Sequence, residues 1–121
     1  MTPRISPFRV MAAGTSWRLF GSRRAAETLL AAMSADDEQS QMLAGMSLVK
    51  AGQRSFDLIQ DRIEAGQVSA HIIRLLPDID RERARPLLEK VVRGEPGEMT
   101  DAARDCIELL DRIDRLEEEA L

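Results

Sequence analysis

The sequence contains no tyrosine, one tryptophan, one histidine and one cysteine among its 121 residues. Aromatics make up 3% of the chain, so a core must be built from Leu, Ile, Val, Ala and Met. That palette favours helices over sheets. So few rings also argue against a nucleic-acid platform of stacked aromatics. A lone cysteine, Cys106, excludes an internal disulfide and points to a reducing compartment, the cytoplasm. No apolar run approaches the ~20 residues of a membrane span. The opening lacks a long apolar stretch with a small-residue cleavage site, so a secretory leader is not expected. There is no P-loop, dinucleotide fingerprint or Gly-x-Ser-x-Gly motif, and no Asn-Gly or Asp-Gly hairpin signal.

Acid is missing from one end. Residues 1–26 carry Arg4, Arg9, Arg18, Arg23 and Arg24 with no Asp or Glu, and they hold three of the four aromatics, Phe8, Trp17 and Phe20. This end is therefore +5. The remainder has 12 basic and 21 acidic side chains, −9, for a chain total of −4. Such a body repels phosphate backbones, so nucleic acid is not an expected partner.

From residue 22 onward, apolar positions recur at helical spacing. RRAAETLLAAM aligns Ala26, Leu29, Leu30 and Met33. EQSQMLAGMSLVKAG aligns Met42, Leu43, Met46 and Val49, with Leu48 widening the face and Gly52 as a stop. RSFDLIQDRIEAG carries Phe56, Ile59 and Ile63 and ends at Gly66. QVSAHIIRLLPDI carries Val68, Ile72, Leu75 and Leu76, and Pro77 must bend or end it. DRERARPLLEKVVRG carries Ala84, Leu87, Leu88 and Val91, with Asp80 as its N-cap. The last stretch aligns Ala103, Cys106, Ile107, Leu110 and Ile113, with Thr100 as its cap. Its end carries Glu117, Glu118 and Glu119, the wrong sign for a helix C-terminus, so fraying is expected there. These are six helices with short connections.

TLLAAM at 28–33, DLIQDRI at 57–63 and PLLEKVV at 86–92 start 29 residues apart. Each leads into a second helix in which a small residue precedes a large apolar one by four positions: Ala44 and Leu48, Ser69 and Ile73, Ala103 and Ile107. A period near 30 with two helices per unit is the mark of an α-solenoid. The chain resembles the HEAT-repeat family in its short bacterial form, over units 22–52, 53–80 and 81–114. SRRAAETLLAAMSADDEQSQMLAGMSLVKAG is the stretch most like a HEAT pair, and Pro86 falls where that family often has a kinking proline. The family's frequent Val-Arg pair at the start of the second helix is missing from all three units.

The resemblance implies an all-α, right-handed solenoid over 22–121, preceded by a basic arm or cap at 1–21. It implies a non-catalytic protein-binding scaffold. Second helices usually line the concave face of such arrays, which places Arg74, Arg104, Glu108 and Asp111 on the protein-binding surface. Some HEAT-like proteins are DNA glycosylases or bilin lyases, but the acidic body does not suit the first and no residue marks a bilin site. No catalytic, cofactor or metal residue is expected. His71 has no second histidine beside it, Cys106 lies in an apolar register, and Asp36-Asp37 reads as a helix cap.

Residues 1–21 have several readings. They cap the first repeat or stay disordered, dock on a protein through Arg9, Trp17, Arg18 and Phe20 with Arg23 and Arg24, or lie on an anionic membrane as the anchor of a peripheral adaptor, where Gly14 and the Thr15-Ser16 pair weaken a continuous helix. Their acid-free composition also resembles an organelle transit peptide. An array of three repeats leaves an open end, so self-association is expected as well.

Overall fold

A computed structural model of the chain describes residues 6–121. Residues 1–5, Arg4 among them, lie outside the described residues. The regular structure within 6–121 is entirely helical. Its elements are α1 (Pro7–Phe20), α2 (Arg23–Met33), α3 (Glu38–Lys50), α4 (Gln53–Glu64), α5 (Ala70–Ile73), α6 (Leu76–Ile79), α7 (Arg81–Val92) and α8 (Glu98–Ala120).

Local chemistry sets the boundaries. Ser6 caps α1 by accepting from the Arg9 amide at 3.3 Å, and Pro7 opens the first turn, where no amide donor is needed. Gly21 closes α1 at φ +64°, a left-handed conformation that costs glycine nothing, and its amide returns to the Trp17 carbonyl. The next residue, Ser22, already caps α2. Asp37 caps α3, accepting from the Gln39 amide at 3.1 Å and the Ser40 hydroxyl at 2.8 Å. Asp80 caps α7 through the Arg83 amide at 3.0 Å.

The chain forms two compact units, Met1–Leu58 and Ile59–Leu121, and the boundary falls inside α4. In the first unit α1, α2 and α3 pack against one another. They bury Val10, Ala13 and Trp17 with Ala26, Leu29, Leu30, Met33, Ala44 and Leu48. In the second unit α8 packs on α7 and α5, and α6 packs on α7. Its core includes Ile73, Leu76, Ala84, Leu88, Ala103, Cys106 and Leu110. Each fully buried Leu or Ile in these sets stabilises its unit by about 1.5–3 kcal/mol.

Four expectations from the sequence are corrected and one is met. Residues 7–20 form an unbroken helix despite Gly14 and Thr15-Ser16. A Cβ at Gly14 would lie 2.8 Å from the Ser47 Cβ, so the glycine is what lets α1 approach α3. The Thr15 hydroxyl folds back onto the Met11 carbonyl at 3.2 Å.

The interruption expected at Pro77 is present: the fourth stretch is two short segments, with Pro77 in the first turn of α6, where its missing amide costs no bond. α3 turns a different face inward from the one expected. It buries Ser40, Ala44, Gly45 and Leu48 and leaves Met42 and Met46 outside, 61% and 50% exposed. Small residues on that face allow two neighbouring helices to approach closely.

Thr100 does not cap α8. It sits buried within the first turn, and its hydroxyl donates to the Glu95 carbonyl. Finally, α8 continues through Glu117, Glu118 and Glu119 to Ala120. Arg81 meets Glu117 at 2.8 Å and offsets part of the unfavourable terminal charge.

Candidate functional site

α1 is apolar on two sides. Val10, Ala13 and Trp17 face the unit's interior, while Phe8, Met11 and Leu19 face solvent, 80%, 57% and 59% exposed. A helix that is apolar all round normally has both sides covered. Here one side is not.

That outer side borders a groove of about 210 Å³ between α1 and α3. Met11, Leu43 and Met46 supply its apolar lining, the closely packed Gly14 and Ser47 its small residues, and Arg18 and Lys50 its cations. No carboxylate lines it. Unbranched thioether side chains adapt to varied partner shapes, which suits a docking surface.

Trp17 is not part of that surface. It is 6% exposed, and its indole Nε1 donates to the buried Ser55 hydroxyl at 2.9 Å. The Arg54 guanidinium lies 5.8 Å from the ring centroid and donates to the Trp17 and Arg18 carbonyls at 2.8 and 3.3 Å. Arg54 thereby gives the Trp17 carbonyl a second donor beside the Gly21 amide and supplies one to the Arg18 carbonyl at the end of α1. The expected docking set loses Trp17 to the interior. Arg9, Arg18, Phe20, Arg23 and Arg24 are exposed.

The four residues expected to bind protein all lie on the surface of the second unit, at the end of α5 and along α8. Three of them have ion-pair partners. Arg74 meets Asp105 at 3.1 Å, and Arg104 meets Asp101 at 3.7 Å. Arg85 of α7 bridges Asp111 and Asp114, each at 2.8 Å. The hydrogen bond to Asp111 is the main cause that holds the Arg85 guanidinium above its ordinary pKa. Among the described residues Glu108 has no ion pair.

Cys106 is buried, and its thiol is pushed above the ordinary value. Burial is the main cause. Arg74 offsets it in part, and Asp105 and Asp78 add to it. A thiol held neutral in this way is a poor nucleophile. His71 is exposed. Among the described residues, no three His, Cys, Asp or Glu side chains come together in a metal-binding arrangement. None of the described helices is long and apolar enough to cross a membrane.

The second unit has a larger hollow, about 410 Å³, with Ile63, Val68, Ile73 and Val91 in its lining. A small-molecule site needs convergent polar groups to orient its ligand. The Thr100 hydroxyl in this lining is already bonded to Glu95.

Sequence reasoning missed the groove. Its signal was present: the apolar residues of 7–20 are too many for one helical stripe. The outward register of Met42 and Met46 had no such signal. No protein-family model, curated protein or solved structure matches the chain.

Proposed function

We propose that the chain is a non-catalytic protein-interaction module built of HEAT-like helix pairs, and that it works in the cytoplasm. Its groove between α1 and α3 takes an apolar, acid-flanked segment of a partner protein. The observation that carries this reading is the uncovered apolar side of α1 beside a methionine-lined groove whose charges are all positive. The return of α8 onto α5 supports a repeat architecture, because second helices of neighbouring units stack in that way in a solenoid.

Affinity capture from native lysate, with identification of what is bound, tests the reading. Met11→Glu with Met46→Glu should abolish capture of an acid-bearing partner, and so should Arg18→Glu with Lys50→Glu. All four positions line the groove, and unchanged circular dichroism would show that the helices persist. Capture that survives both pairs but is lost with Glu108→Lys would transfer the site to α8.

A second reading rests on Phe8, Leu19 and Phe20, which are exposed on the same helix as Arg9 and Arg18. It makes the chain a peripheral membrane adaptor with α1 at the interface. Co-sedimentation with phosphatidylserine vesicles at low salt separates the two. Vesicle binding that Phe8→Ser and Phe20→Ser remove, together with no captured protein, would replace the first reading with this one.

A further inference from the structure

The two flanks of the distal half of α8 differ. One is held to α7: Asp111 and Asp114 by Arg85, and Glu117 by Arg81. The other carries Leu109, Ile113, Leu116 and Ala120. Leu109 and Leu116 are 44% and 59% exposed, Ile113 is half-buried and Ala120 is exposed.

The spacing of these four residues is four, three, four. It continues the register of the buried Ala102 and Cys106, so one heptad stripe runs the length of α8. Its first part is covered within the unit and its second part is not. Such a stripe is the seam that another helix packs against, and the helix here is already formed, which lowers the cost of association.

We propose that the occupant is a second copy of the same stretch, lying antiparallel across a two-fold axis. Charge selects this partner. Arg112 and Glu119 border the stripe on its solvent side, and among the described residues neither is held in an ion pair. In the antiparallel register Leu109 faces Ala120 of the other copy, and Ile113 faces Leu116. Arg112 then meets Glu119, and symmetry repeats each contact. One helix carries both halves of the contact, as a two-fold interface requires. A parallel arrangement would bring Arg112 to Glu117 instead, and Glu117 is already bound to Arg81.

Sedimentation equilibrium of the full chain tests the proposal. The mass should rise from 13.5 kDa toward twice that value between roughly 10 µM and 0.5 mM, as fits a short seam of micromolar affinity. Leu109→Glu with Leu116→Glu should hold the mass at the monomer value with helicity unchanged. Arg112→Glu alone and Glu119→Arg alone should each weaken the dimer several-fold, and the two together should restore it. A chain that stays at 13.5 kDa throughout this range overturns the proposal. Rescue of Arg112→Glu by Glu117→Arg, and not by Glu119→Arg, overturns the antiparallel arrangement.

Discussion

Trp17 shows how one side chain changes meaning between sequence and structure. On the sequence it stands among arginines and looks like a binding anchor. In the fold its ring is enclosed, its nitrogen is bonded to Ser55, and Arg54 lies over it. Trp17→Phe keeps most of the apolar volume but leaves the Ser55 hydroxyl without its donor, which should cost about 1–3 kcal/mol. Trp17→Ala should cost about 3–5 kcal/mol. Urea unfolding of both, with Ser55→Ala in a double-mutant cycle, measures the bond separately from the packing. Cys106 makes a second prediction. The fold prefers its neutral thiol, so its contribution to stability is complete below the ordinary value of 9.0. It is lost as pH rises through the raised folded value. The urea midpoint should therefore fall more steeply above pH 9.0 in the native chain than in Cys106→Ala.

Among the elements, those with a clear apolar stripe and a capping residue were legible in the sequence. α2, α4 and α7 bury Leu29 and Leu30, Phe56 and Ile59, and Leu87 and Leu88 as their spacing requires. Asp80 and Asp37 cap where acids precede a helix. α3 was misread because periodicity ranks methionine above serine and alanine, whereas close helix packing selects the smaller side chains. α8 was misread at its end because the local charge rule takes no account of a neighbour, and Arg81 is 36 residues away. Arg81→Ala with Arg85→Ala should raise amide exchange over residues 111–120. These pairs are solvent-exposed, so the urea midpoint should hardly move. The exchange difference between variant and native chain should shrink in molar salt, which screens such pairs.

At the scale of the whole molecule, the all-helical architecture was legible because the apolar spacing is helical from residue 22 onward and no strand or hairpin signal competes with it. The boundary between the two compact units, inside α4, had no signal in the sequence, because compactness follows contacts. Those contacts join α1 to α2 and α3. The candidate surface escaped for a similar reason, since a groove exists only once Gly14 and Ser47 have brought two helices together. The sulfur in that groove has a further consequence. Met11 and Met46 stand open to solvent there, while Met33 is enclosed. A peroxide will oxidise these outer thioethers before Met33 and turn each into a polar sulfoxide. The apolar surface would be lost before the core is damaged, and a sulfoxide reductase could restore it, so oxidative stress and its repair would set how much of the groove stays apolar.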